Sequence, residues 1–298
     1  MPGQAATAHC LDSKNTWQTT AILRRMRLKA AAFEALDRRP TRWLLGLAGS
    51  AFAAARGERA WVTYDSESGG WLKRTPRGVT LIHHPNGKGI EQFADYSAEL
   101  FLYDYAIGKG DVVVDVGAGV GEQTLPFSEL VGSSGRVVAV EAQPSTFAKL
   151  QKVCRLNGMR NVDLVPAAVM DSDAPVLISD FQEQASYQEN RIGDRGIRIP
   201  AVTLSDLFAK FHLDHVDFLK MNIEGAEVAA LRGSPDALQV VQHAAIECHD
   251  FLADRTGDES YRTKDAVKTI LSDAGFTVRC REQDAQRPWI ADLVYASR

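Results

Sequence analysis

Short apolar runs that end in polar or acidic residues recur along most of this chain, and stretches with helical periodicity separate them. A continuous apolar run of this length predicts a strand that is buried on both faces, as in a parallel sheet. The runs that we interpret as strands lie at residues 112–116, 135–141, 162–169, 216–227 and 242–250. The helical patterns between and around them lie at residues 93–107, 122–130, 147–156 and 261–274. This alternation is typical of an α/β protein with a mostly parallel sheet.

The first ninety residues have a different pattern. Residues 21–36 have helical periodicity with a basic face, and Pro40 begins a second, more apolar helix. Three short runs at residues 61–64, 71–74 and 79–82, joined by glycine and proline turns, predict a small β-meander. We therefore divide the chain into a helical extension at 1–60, a β-meander at 61–92 and the main domain at 93–298.

The charge distribution makes the helical extension stand out. Residues 20–60 carry nine basic and three acidic side chains, a balance of +6, whereas the whole chain carries −4. In the second helix, Trp43, Leu44, Leu47 and Phe52 share one face. We interpret this basic, amphipathic pair of helices as a cap on the main domain or on a second copy in a homo-oligomer. The alternative is a peripheral contact with an anionic membrane, or with a lipid-linked ligand.

A glycine-rich turn follows the strand at residues 112–116. Gly117, Gly119 and Gly121 stand at every second position, and Glu122 comes next. Glycines let the backbone turn tightly and approach a ligand closely. A dinucleotide site has the spacing Gly-x-Gly-x-x-Gly, and a carboxylate at position 122 would repel a pyrophosphate. With Asp115 at the strand end, the pattern suits a cationic, phosphate-free nucleoside such as S-adenosylmethionine.

Two further segments add to this interpretation. Glu141 ends the second strand, where a carboxylate can bind ribose hydroxyls. The fourth strand, at residues 216–227, carries Lys220, Asn222, Glu224 and Glu227 towards its carboxyl end. Together these segments resemble the FkbM-type methyltransferase family over residues 93–298.

The resemblance implies a Rossmann-like methyltransferase fold. That fold has a mostly parallel seven-stranded sheet, helices on both faces and an antiparallel last strand, which we assign to residues 289–295. It also implies S-adenosylmethionine as cofactor and a hydroxyl of a sugar, glycolipid, polyketide or similar metabolite as acceptor. The cofactor-binding residues that we expect are Asp115, Gly117, Ala118, Gly119, Gly121, Glu141, Ala142, Ala168 and Asn222.

The chemistry of an alcohol acceptor requires a proton acceptor. His249 is our first candidate because it follows a strand end, and a histidine can be neutral near pH 7. Glu224 and Glu247 are the other catalytic candidates. The family usually has Asp where this chain has Asn222, which can form hydrogen bonds but cannot act as a base. We expect no metal site, because the spacing of these residues matches no metal-binding pattern.

Composition excludes several classes of function. The modest negative charge does not indicate a nucleic-acid partner. The four cysteines are far apart and form no Cys-x-x-Cys pair, which suits a reducing cytoplasm. The first twenty residues lack an apolar core, so we expect no secretion signal and a cytoplasmic location.

Three functions remain in competition. An O-methyltransferase is the leading hypothesis. An N-methyltransferase that acts on an amine or amide would use the same cofactor residues without a strong base. An inactive protein with the methyltransferase fold is the third, and Asn222 is its only indication. Glu122 disfavours an NAD-dependent oxidoreductase.

Overall fold

The computed structural model describes residues 35–178, 192, 195–284 and 286–298. The helices are α1 (Arg42–Ala55), α2 (Ile90–Leu100), α3 (Thr124–Val131), α4 (Pro144–Leu156), α5 (Leu204–Phe211), α6 (Glu227–Arg232), α7 (Pro235–Gln239), α8 (Asp250–Thr256) and α9 (Lys264–Asp273). Short 3₁₀ helices lie at Glu259–Tyr261 and Pro288–Asp292.

The strands form one large sheet and three small ones. The large sheet contains β4 (Val112–Val116), β5 (Arg136–Val140), β6 (Val162–Val165), β11 (Val216–Met221), β12 (Val241–Glu247), β13 (Thr277–Cys280) and β14 (Leu293–Ser297). The small sheets contain β1 (Trp61–Asp65) with β2 (Gly70–Arg74) and β3 (Val79–Ile82), β7 (Ala168–Val169) with β10 (Ala201–Val202), and β8 (Val176–Ile178) with β9 (Ile197–Ile199).

The seven strands of the large sheet have the order β13-β14-β12-β11-β4-β5-β6. All neighbouring pairs from β12 to β6 are parallel, and β14 runs antiparallel between β12 and β13. The predicted fold, including the inserted antiparallel last strand, is confirmed. The bounds differ: the last strand begins at Leu293 instead of residue 289, β11 ends at Met221 instead of residue 227, and β12 ends at Glu247 instead of residue 250. The chain continues to one side of β4 through β5 and β6 and returns to its other side at β11. This reversal places a crevice at the carboxyl ends of β4 and β11.

Helices cover both faces of this sheet because successive strand residues point to opposite sides. Val113 and Phe218 pack on one face with Phe127 and Val131 of α3. Val114 and Leu219 pack on the other face with helices α5, α6 and α9. These central residues are almost completely buried, which explains why their strands are continuous apolar runs rather than alternating ones.

The apolar run at residues 162–169 forms two strands, so our prediction of one strand there is wrong. β6 ends before Pro166, and β7 pairs with β10 outside the large sheet. Proline has no backbone N–H for a sheet hydrogen bond, which favours a break at that position. The helix α2 also ends at Leu100 instead of residue 107, and α3 begins at Thr124 instead of residue 122.

The β-meander is present with the predicted strands, joined in antiparallel register. Helix α1 packs against it through two glycines. A Cβ on Gly46 would lie 2.7 Å from the carbonyl oxygen of Val62, and one on Gly49 would lie 2.4 Å from that of Pro85. Only glycine permits this close approach. Among the described residues, no helix combines the length and apolar character needed to cross a bilayer. The domain boundaries stay a prediction.

Candidate active site

A pocket opens at the carboxyl ends of β4, β5 and β11, in the crevice that the topology predicts. Eight of the twelve site residues proposed from the sequence line it, namely Gly117, Ala118, Gly119, Glu141, Ala142, Ala168, Asn222 and Glu224. The other four, Asp115, Gly121, Glu247 and His249, lie behind this wall. The lining also includes Tyr96 of α2, Glu122 of the glycine turn, and Ile178 and Ile192, and strand patterns alone did not indicate the two isoleucines.

The glycine turn brings β4 into direct contact with β11. Gly117 has a φ of 75°, and a Cβ at this position would lie 1.8 Å from the carbonyl oxygen of Asn222. The turn therefore requires glycine both for its dihedral angle and for the approach of the second strand. Gly119 has a φ of 57°, and its N–H donates to Glu141 Oε2 at 2.9 Å. This bond joins the turn to the end of β5.

Asp115 lies beneath the glycine turn and does not face the pocket. Its carboxylate is completely buried, 2.9 Å from Lys220 Nζ, and it accepts a hydrogen bond from Thr124 Oγ1. Lys220 Nζ also donates to the carbonyl oxygen of Gly117 at 2.7 Å. The expectation that Asp115 meets a cationic ligand is thus corrected: its charge is balanced by Lys220, and the pair supports the turn from below.

Gly121 likewise does not line the pocket. A Cβ there would lie 3.1 Å from Leu150 Cδ1 and 3.5 Å from Val153 Cγ1 of α4. This glycine lets α4 pack closely against the turn. We had expected a contact with the cofactor at this position, and the structure gives it a packing role.

Glu141 holds its carboxylate in place with two backbone donors. Gly119 N–H and Gln143 N–H donate to it at 2.9 and 2.8 Å. Burial raises the pKa of Glu141 to about 7, although these two hydrogen bonds and the charge of Lys220 oppose the shift. The group therefore titrates near neutral pH before any ligand binds.

Asn222 connects the pocket wall to Glu247. Its Nδ2 donates to Glu247 Oε2 at 2.7 Å. Its Oδ1 is buried, and none of the described residues donates to it. A buried acceptor without a donor destabilises the protein, unless a bound ligand supplies the donor. Burial raises the pKa of Glu247, against the opposing charges of His249 and Lys220.

Glu224 lines the pocket in a left-handed conformation, with a φ of 53°. Such a φ is uncommon for a residue other than glycine and is found most often at functional sites. His249 lies behind it, with Nε2 3.4 Å from Glu224 Oε2 and Nδ1 3.1 Å from Glu227 Oε1. Glu227 is completely buried and also accepts a hydrogen bond from Thr263.

This cluster of carboxylates fixes the charge of His249. Burial by itself lowers the pKa of a histidine, but the hydrogen bond to Glu227 and the charges of Glu224, Glu227 and Glu247 raise the pKa of His249 to about 9. A histidine that is protonated at neutral pH cannot accept a proton there. The prediction of His249 as the base is corrected for this reason. The sequence pattern at the strand ends did not indicate that Glu227 would contact the imidazole of His249.

No group of three or more His, Cys, Asp or Glu side chains within the described parts of the chain is placed to hold a metal ion. Two of the cysteines, Cys154 and Cys248, are buried free thiols.

The pocket geometry agrees with a comparison against known families, in which the profile for "Methyltransferase FkbM domain" matches residues 115–278. The chain belongs to the FkbM methyltransferase family. Residues 115–278 are thus an S-adenosylmethionine-dependent methyltransferase domain. Both the predicted family and the predicted cofactor are confirmed.

Individual relatives are distant. The chain is 24% identical over 217 residues to "Methyltransferase 1" of Beauveria bassiana, a match that covers 64% of this chain and 83% of the relative. It is 39% identical over 97 residues to a protein-L-isoaspartate O-methyltransferase of Methanococcus maripaludis, covering 32% of this chain and 46% of that relative. A solved FkbM methyltransferase from Methylobacillus flagellatus is 19% identical with a TM-score of 0.44, over 69% of this chain and 50% of the other. The chain thus spans half of that structure and less than half of the isoaspartate enzyme.

Proposed function

We propose that this protein transfers a methyl group from S-adenosylmethionine to a hydroxyl group of a small molecule or glycolipid. The observation that carries the proposal is the charge of the pocket wall. Its described lining contains three carboxylates, Glu122, Glu141 and Glu224, and no lysine or arginine. Such a wall favours a cationic nucleoside and disfavours a phosphorylated one.

The cofactor half of the pocket fits that nucleoside. We assign Glu141 to the ribose hydroxyls, since its carboxylate is held at the wall by Gly119 and Gln143. The unpartnered Oδ1 of Asn222 is suited to the ammonium group, because an ammonium brings donors and no acceptor. Small apolar residues, Ala142 and Ala168, leave a flat wall for the adenine.

When bound, S-adenosylmethionine supplies an electrophilic methyl group on a sulfonium. The protein must orient the acceptor oxygen and remove its proton as the new C–O bond forms. We assign the proton acceptor to Glu224, whose carboxylate lies on the wall. His249, protonated and hydrogen-bonded to Glu227, is a positioning residue that holds Glu224. Glu247 acts indirectly, because it accepts a hydrogen bond from Asn222 and so positions that side chain at the pocket wall.

The names of some relatives support an oxygen acceptor. The chain is similar to two protein-L-isoaspartate O-methyltransferases, and it is 35% identical over 87 residues to aklanonic acid methyltransferase DauC of Streptomyces. The last match covers 29% of this chain and 38% of the relative. The names of the two isoaspartate enzymes support oxygen as the acceptor atom, and the name of DauC supports a small-molecule acceptor.

Mass spectrometry of a metabolite pool tests the proposal. Incubation of the enzyme with S-adenosylmethionine and hydroxylated sugars, glycolipids or polyketides should give a product that is one methyl group heavier on oxygen. Glu224→Gln should lower kcat about a hundredfold, as expected for the loss of a proton acceptor, and should weaken cofactor binding by no more than a few-fold, as expected for one of three wall carboxylates. Glu122→Gln is the control within the same wall, and we expect it to retain kcat within a few-fold.

Two results would contradict this assignment. A product methylated on nitrogen, with full turnover by Glu224→Gln, would favour an N-methyltransferase. Cofactor binding without any methylated product from the pool would favour an inactive protein of this fold.

A further inference from the structure

The outward face of helix α1 is apolar, although it faces solvent in the described structure. Trp43 is 62% exposed, and Leu44, Leu47 and Phe52 are each at least 40% exposed. Trp61, at the start of β1, adds a second indole that is 55% exposed. We call these five residues the aromatic patch. Trp43, Leu47 and Trp61 line one groove, and exposed apolar side chains that cluster in this way mark an interaction surface.

The inward face of α1 is already occupied by the β-meander. Leu45 and Ala53 are buried against it, together with the two close-packed glycines. Ser50 and Arg42 are the two polar residues of this helix, and Ser50 points inward and accepts a hydrogen bond from Val62 N–H at 2.9 Å. A helix that is apolar all round is normally buried. The aromatic patch is therefore not explained by packing within the described chain.

Arginines surround the patch. Arg39 and Arg42 border a groove that Trp43, Leu47 and Trp61 also line. The guanidinium of Arg56 lies 5.5 Å from the centroid of the Phe52 ring. Of the nearby acids, Asp37 pairs with Arg42 and offsets its charge, and Glu58 binds Lys73 of β2. Arg39 and Arg56 therefore carry the net positive charge of the patch.

We propose that the aromatic patch and its arginines bind the surface of an anionic lipid membrane. Tryptophan and arginine both combine an apolar body with a polar or charged tip, which suits the boundary between headgroups and acyl chains. A second copy of the chain is a poorer occupant. A twofold contact would bring the same arginines face to face, and like charges repel. The proposal is independent of the acceptor assignment.

Co-sedimentation with lipid vesicles tests this. We expect the full-length protein to bind vesicles of phosphatidylcholine mixed with phosphatidylglycerol, to bind phosphatidylcholine alone weakly, and to dissociate as salt is raised. Trp43→Ser and Leu47→Ser should each weaken partitioning into anionic vesicles about tenfold, because each removes an apolar side chain that would be buried at the membrane interface. Arg56→Gln should weaken it about fivefold, as expected for one basic residue near a charged surface.

Exposed residues elsewhere provide matched controls. Leu156→Ser at the end of α4 and Arg255→Gln in α8 remove the same kinds of side chain from other exposed positions, and we expect wild-type binding. Circular dichroism checks that each variant is folded, and Trp61→Ser replaces Trp43→Ser if the latter is not. Failure to bind anionic vesicles, or equal binding by all variants, would overturn the proposal. A wild-type dimer that Trp43→Ser dissociates would assign the patch to a second copy instead.

Discussion

The two halves of the pocket are built in different ways. The cofactor half consists of a glycine turn and Glu141, which backbone N–H groups hold in place. The other half, which we assign to the acceptor, consists of side chains that hold one another, namely Glu224 with His249 and Glu227. Asn222, which donates to Glu247, lies between the two halves, and we assign its Oδ1 to the cofactor. The first half depends on a local backbone conformation, whereas the second depends on residues from three separate elements. Substitutions in the two halves should therefore have different signatures.

The largest effect is expected where the halves touch. Gly117→Ala should destabilise the protein by about 4 kcal/mol and abolish cofactor binding, because its Cβ would lie 1.8 Å from the carbonyl oxygen of Asn222 in a left-handed conformation. Thermal denaturation and calorimetric titration with S-adenosylhomocysteine measure both quantities.

Gly257→Ala is the matched control for this substitution. Gly257 has a φ of 74°, almost the same as Gly117, but a Cβ there would meet no atom within 4 Å. It should cost about 1 kcal/mol, the penalty of the dihedral angle alone. Equal losses for the two variants would show that the contact between β4 and β11 is unimportant.

The second prediction concerns the ionic cluster of the acceptor half. The pKa of His249 is raised in the folded state, from 6.5 to about 9, so protonated His249 contributes stability that is complete below pH 6.5 and is lost as pH rises through 9. His249→Gln should therefore be about 3 kcal/mol less stable than wild type at pH 6, and the gap should narrow towards pH 10.

Denaturant unfolding at a series of pH values measures this gap. His215→Gln is the control, since His215 is also next to a carboxylate, Asp217, but is exposed. The stability of His215→Gln should follow that of wild type closely across the pH range. If the difference in free energy of unfolding between His249→Gln and wild type stayed constant with pH, it would contradict the assignment of a protonated imidazole.

The smallest effect is expected in the cofactor half. Glu141→Gln should weaken cofactor binding about tenfold, the loss of a charged hydrogen-bond acceptor, with the fold intact. In wild type, affinity should fall as pH drops below 7, because the protonated carboxyl, whose pKa is about 7 in the free protein, is a poorer acceptor. The variant should lack this dependence. Calorimetric titration between pH 5.5 and 8 tests both, with Glu224→Gln as the control that should keep the wild-type pH dependence and lose no more than a few-fold in affinity.

Much of this protein was determined by local sequence. Buried strands are apolar runs, so β4, β5 and β11 were predictable, and with them the crevice at their carboxyl ends. Gly117 and Glu141 were predictable because a tight turn and a strand-end acid follow from neighbouring residues. The inserted last strand and the cofactor came with the family resemblance, and both are confirmed.

Only the tertiary structure decided which of these groups faces the ligand and which charge it carries. Asp115 stands in the same motif as Gly117, yet Lys220 from another strand neutralises it beneath the turn. His249 has the sequence context of a base, yet carboxylates from the loop after β11, from α6 and from β12 keep it protonated. Electrostatic interactions act through space between residues that are far apart in the chain, and no periodicity in the sequence records them.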